Sequence, residues 1–137
     1  KIQGLIKLIT NTVKAQHEEF SFDEKSSLQL VLEKYIKIPE LKDEINKYED
    51  RLIEYYKDNI VSFSKGSKVD LSLIDFPQVH KNLADRIYKT RCSLVHTKGF
   101  SEQKFIPFKD DKELINEVIL IKIIAEQIII NSSEIIK

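Results

Sequence analysis

From Val118 to Ile130 the chain is almost continuously apolar and rich in Ile, broken chiefly by Lys122 and Glu126. This run is short of the ~20 uninterrupted apolar residues that a membrane span needs, so it reads as a buried core helix. The helix is predicted from about Asp110 to Ile136, and Asp110 and Glu113 have capping-box-like spacing at its start. Lys122, Glu126 and Ser133 form a narrow polar stripe along it, with apolar residues around the rest. Such a helix must be covered on nearly all sides. It offers more apolar surface than four short neighbours need, so part of it is expected to face a second copy of the chain.

The rest of the chain supplies helical neighbours. Ile2, Leu5, Ile6, Ile9, Val13 and Phe20 keep three-and-four spacing, which predicts a first helix over about Lys1–Phe20. Leu28, Val31, Leu32, Tyr35 and Ile36 form a second set, with Ser26 or Ser27 as its N-cap and Ile38-Pro39 as its end. Pro39 then opens a third helix carrying Leu41, Ile45, Tyr48, Leu52, Ile53 and Tyr56. Asn59 to Asp75 reads as a loop, in which Val69, Leu71 and Leu73 alternate as a short extended segment would. Asp75 and Pro77 open a long helix that Lys98-Gly99 closes, and a loop containing Pro107 follows. Three Gly and three Pro are too few for a loop-rich sandwich or barrel. The expected fold is all-α, an up-and-down bundle of four to five helices in one domain over residues 1–137. The chain opens on Lys1 and contains no Met, so it is expected to be a piece of a longer protein with further domains.

A single Cys excludes an internal disulfide framework and suits a reducing cytosol. Lys7 interrupts the first apolar run and no cleavage site follows it, so no signal peptide is read. The expected location is cytoplasmic, with no membrane partner. A net charge of zero argues against a general nucleic-acid coat protein. The charge is nevertheless uneven. Pro77–Lys104 holds six bases against two acids, and Asp23–Asp58 holds seven against ten.

The basic segment contains Arg91-Cys92-Ser93-Leu94-Val95-His96. Plotted at ~100° per residue, Phe76, Val79, Leu83, Ile87 and Leu94 share one helix face, and Arg91 falls inside it. His96 falls ~140° away, with Lys81, Asp85 and Lys89. A guanidinium in an apolar stripe is costly without a partner or a wet cavity, which marks a site or an interface. The alternative is that Arg91 snorkels its head to water from the stripe's edge.

Arg, four residues, then His, on a helix of a small all-α domain, resembles the HEPN superfamily (higher eukaryotes and prokaryotes nucleotide-binding). The likeness is strongest over Leu83–Lys98 and is similar to the C-terminal HEPN domains of prokaryotic defence and toxin-like proteins, including antiviral ones. The resemblance implies a metal-independent endoribonuclease in which two copies pair, so that two such motifs meet in one cleft. It also implies products with a 2′,3′-cyclic phosphate and a 5′-hydroxyl. The chemistry is coherent: RNA carries its own nucleophile, the 2′-hydroxyl, so a site need only move protons and steady charge. A histidine titrates near neutrality and suits the first task, which falls to His96. A guanidinium forks onto phosphate oxygens and suits the second, which falls to Arg91. Lys89 and Lys98 flank the motif as candidate substrate-binding residues. The expected partners are RNA and a second copy of the chain. Two departures from the family pattern stand out. Cys92 follows the Arg where active members carry Asn or Asp, and Thr97 and Lys98 follow the His where some members continue to Tyr.

Other chemistries find little footing. The histidines at 17, 80 and 96 lack the i,i+4 partner of a helical zinc site, and the isolated Gly at 4, 66 and 99 build no phosphate-cradling loop. No metal or cofactor is expected. Cys92 and His96 share a helix face, the geometry in which an imidazole activates a thiolate, although a small buried filler is the commoner role for Cys. His80 projects onto the face of Arg91 and reads as a hydrogen-bonded core histidine. The rival to the enzyme is a non-catalytic RNA-binding or dimerisation module of a larger defence protein, or a purely structural helical domain.

Overall fold

A computed structural model describes residue 4, residues 24–95 and residues 105–136. Within these the chain is all-helical. Helix α1 covers residues 24–35, α2 Ile38–Tyr48, α3 Arg51–Asp58, α4 Phe76–Val95 and α5 Asp111–Ile136. The helix expected over Lys1–Phe20, the stop at Gly99, and the residues His17, His96 and Lys98 lie outside the described residues.

Local sequence sets most of the observed boundaries. Residues 36 and 37 leave the helix just before Ile38, and α2 restarts with Pro39 in its first turn. Asp75 caps α4, its Oδ1 accepting from Gln78 N at 3.4 Å. Three expectations are corrected. Ser26 and Ser27 lie inside helix, since residues 24 and 25 are already helical and their side chains are tied to α4. The helix expected to run through Tyr56 is two helices. Glu49 is extended (φ −163°, ψ 106°), and Tyr48, which a straight continuation would bury, is exposed. The capping box at Asp110 and Glu113 does not form. Glu113 accepts instead from Ser62 N at 2.7 Å and from Ser62 Oγ at 2.8 Å, so a loop 51 residues upstream takes the carboxylate.

Helix α2 packs on α3 and α5, and α4 packs on α5. Helices α4 and α5 run antiparallel: Arg86 meets Glu117, while His80 and Asn131 reach the carbonyls of Ile36 and Tyr35 at the C-terminal end of α1. The core joins Leu32 and Ile36 to Leu41, Ile45, Leu52, Tyr56, Val79, Leu83, Leu120 and Ile123. Val69 and Leu71 enter the same core from the α3–α4 loop, and Leu73 is exposed. The alternation read in this loop is thus one of side chains into and out of the core. No strand accompanies it, and Val61 and Gly66 form one isolated bridge. Gly66 suits this close approach, because a Cβ would stand 3.1 Å from both Cα and O of Arg86 and push against the α4 backbone.

His80 is buried with Nδ1 2.8 Å from Phe76 O and Nε2 2.8 Å from Ile36 O. It is the hydrogen-bonded core histidine expected from its place on α4. Helix α5 is less covered than its pattern requires. Ile115, Val118, Ile129 and Ile130 are exposed among the described residues. No helix among the described residues is long and apolar enough to cross a membrane.

Candidate functional site

The motif lies at the C-terminal end of α4. The apolar face of α4 is as expected at Val79 and Leu83, both fully buried, while Phe76 at its start is exposed. Beyond that, Ala84, Asp85, Arg86, Thr90 and Ser93 are buried, and Arg86, Thr90 and Ser93 continue the 79–83 seam at steps of three and four. Leu94 and Val95 are exposed. Arg91 therefore does not sit in the packed face, and the expectation that it does is corrected. Its side chain is 57% exposed, and Nη1 donates to Glu24 Oε2 at 3.0 Å. The apolar plot misplaced the seam because polar residues carry it where they find partners. Thr90 Oγ1 lies 3.4 Å from Ser64 Oγ, and Ser93 Oγ donates to Thr90 O at 2.7 Å.

The other predicted site residues divide between described and not. Lys89 is half-buried and its Nζ lies 3.3 Å from Asp85 Oδ1, so this amine already has a carboxylate partner. Cys92 is a half-buried free thiol. Arg91 and Lys89 come to one end of α4, beside residues 24 and 25 of α1. The pairing of Arg91 with His96, the role of Lys98 and the Cys92–His96 geometry all involve residues outside the described ones.

Asp85 organises the neighbouring polar cluster. Its Oδ1 accepts from Lys25 Nζ at 2.6 Å, and its Oδ2 accepts from Ser67 N at 3.2 Å and from Ser67 Oγ. Burial pushes its pKa up, but hydrogen bonds from Lys25 and Ser67, with the charges of Lys25 and Lys89, outweigh this and hold it below the ordinary value.

Sequence reasoning missed the buried guanidinium of this helix, which is Arg86. It is 0% exposed and clamps Glu117, itself 1% exposed. Nε donates to Oε1 at 2.6 Å and Nη2 to Oε2 at 2.9 Å, the bidentate fork. Nη1 donates to Asn59 O at 2.7 Å and Ser67 O at 3.1 Å, which ties down the start and the middle of the α3–α4 loop. The guanidinium also lies over the ring of Tyr56, 5.1 Å from its centroid. Burial, then the charge of Glu117, pushes the Tyr56 phenol above its ordinary range, so it stays protonated and donates to Asn116 O at 2.6 Å. The available signal was a charge at each of two seam positions: Arg86 three residues after Leu83, and Glu117 three before Leu120. Closed on every side, this pair is an anchor for the loop and offers no access to a substrate.

Comparison with protein-family models, with curated proteins and with solved structures finds no match.

Proposed function

We propose that the chain is an RNA-directed helical domain of the HEPN kind, a metal-independent endoribonuclease whose composite centre is built from Arg91 and His96 of two copies. The observation that carries this reading is the exposure of Arg91. Its guanidinium stands at the surface on a single carboxylate, Glu24, and phosphate oxygens offer the same fork geometry. Lys89 stands two residues before Arg91 on α4, and Lys98 follows in the sequence, so the segment that carries the motif is basic. Exposed Leu94 and Val95 on α4, with Ile115 and Val118 near the start of α5, give a second copy apolar surface at the same end.

A non-cleaving RNA-binding or dimerisation module is the second reading. It is favoured by the Arg91–Glu24 pair, which phosphate has to displace, and by Cys92 in place of Asn or Asp.

Both readings meet in one experiment. The purified chain is incubated with single-stranded RNA in excess EDTA, beside His96→Ala, with mass measured by light scattering. The enzyme predicts cleavage that survives EDTA, 2′,3′-cyclic phosphate ends, loss of cleavage in the variant with its helical circular dichroism intact, and twice the chain mass. Binding without cleavage selects the module. Cleavage that depends on an added divalent ion refutes the mechanism.

A further inference from the structure

We propose that Glu24 is a built-in competitor for RNA at Arg91, and that Lys25 beside it binds a neighbouring phosphate once Glu24 has turned away. The inference rests on the RNA-directed reading above and adds two residues to that site, both from the first turn of α1.

That turn meets α4 through two ion pairs of opposite sense. Glu24 Oε2 takes the Arg91 guanidinium at 3.0 Å, and Lys25 Nζ reaches Asp85 Oδ1 at 2.6 Å. The Arg91 contact is incomplete. Arg91 gives Glu24 one nitrogen, whereas Arg86 gives Glu117 the two of a bidentate fork. A phosphate with two free oxygens can take that fork at Arg91. The side chains of Arg91 and Glu24 are 57% and 37% exposed, so their attraction is weak. Rotation of one long side chain at the start of a helix is enough to break it.

The Lys25 side holds a surplus of positive charge. Lys89 Nζ stands 3.3 Å from the same Oδ1 that Lys25 holds, so two ammonium groups share one carboxylate oxygen. The other oxygen, Oδ2, accepts from the N–H and the hydroxyl of Ser67. Asp85 thus keeps a cation when either lysine turns to another anion. The two lysine side chains are 37% and 43% exposed, so solvent and a ligand can reach both. Three cations here face the carboxylates of Asp85 and Glu24, and with Glu24 turned away they face Asp85 alone. Asp85 and Arg91 lie six residues apart on α4, which is ~9 Å of rise. Their two partners on α1 therefore mark two positions along a strand, one phosphate at Arg91 and the next at Lys25.

Fluorescence anisotropy of a labelled single-stranded RNA, read in EDTA at several salt concentrations, tests both residues. Every protein carries His96→Ala so that the RNA stays intact, and each is melted to show that it folds. Glu24→Gln should tighten binding about two- to fivefold. Lys25→Met should weaken it and flatten the slope of log affinity against log salt by about 0.7, the value of one contact to a single strand. Lys25→Arg should restore both. Glu40→Gln makes the same charge change as Glu24→Gln beside Phe76 and His80, at the far end of α4, and should leave affinity within about 1.5-fold. Equal tightening by Glu40→Gln would reduce the effect to net charge and overturn the proposal. Unchanged or weaker binding by Glu24→Gln would overturn it too, with Glu24 then a support for Arg91. An unchanged salt slope in Lys25→Met would strike Lys25 from the site. Absence of RNA binding in parent and variants alike is a different result, which refutes the RNA-directed reading and the proposal with it.

Discussion

Helix α4 carries two Arg–Glu pairs five residues apart, and they are physically opposite. Arg86 and Glu117 are sealed in the core, doubly hydrogen-bonded to each other and further held by two backbone carbonyls. Arg91 and Glu24 meet through one 3.0 Å bond at the surface. The same two side-chain types thus serve as a fastening in one place and as an exchangeable contact in the other. The difference is solvent. In the core, water cannot replace either carboxylate or guanidinium, so removing one of them alone strands a buried charge. At the surface, water and salt compete for each partner, and so would a phosphate.

The largest expected effect comes from breaking the buried pair on one side. Glu117→Gln leaves Arg86 charged and poorly paired, which should cost about 3–5 kcal/mol, or roughly 10–20 °C of melting temperature. A melt within a few degrees of the parent would mean that Arg86 finds water or another partner, and the contrast between the two pairs would collapse. Removing both charges sharpens the same point. Arg86→Met with Glu117→Leu should return most of the loss, to within about 2 kcal/mol of the parent, because an apolar pair strands no charge. The remainder falls on the carbonyls of Asn59 and Ser67, which lose their donor. A double variant as unstable as the single one would show that these loop carbonyls matter more than the ion pair.

Asp85 is the intermediate case, mostly buried and bonded to a half-exposed Lys25. Its pKa is held down in the folded state, so its contribution is present above the ordinary carboxylate range and is lost as pH falls through the folded value. Asp85→Asn should cost about 1–2 kcal/mol at neutral pH, and its stability should fall less steeply than the parent's below about pH 4. Parallel acid limbs in urea melts would remove Asp85 from the scale between the two pairs.

The smallest effect on the fold should accompany a large effect on function. Arg91→Met breaks only a surface pair and should change stability by no more than about 0.5 kcal/mol. On the proposed reading it should lower RNA cleavage by orders of magnitude. Full cleavage by a variant that melts like the parent would end the case for Arg91 as a site residue.

Most of the described helices were legible in the sequence, because their signals are local. Three-and-four apolar spacing, Pro39 at a helix start, Asp75 at a cap and the Ile-rich final segment need no distant residue to be understood. The same locality pointed to Arg91 and His96 as a motif, and to His80 as a core residue. What the sequence could not settle was which polar residues of α4 are buried. A periodic plot counts Arg, Thr and Ser as surface. Arg86 and Thr90 are buried because Glu117, Ser64 and the loop carbonyls stand where they need partners, and those partners come from 19 to 31 residues away. Similarly, Glu113 leaves its own helix cap for Ser62, and Glu49 breaks a continuous apolar pattern. Burial of a polar group is decided by whether its hydrogen bonds are made, and that is a property of the assembled fold.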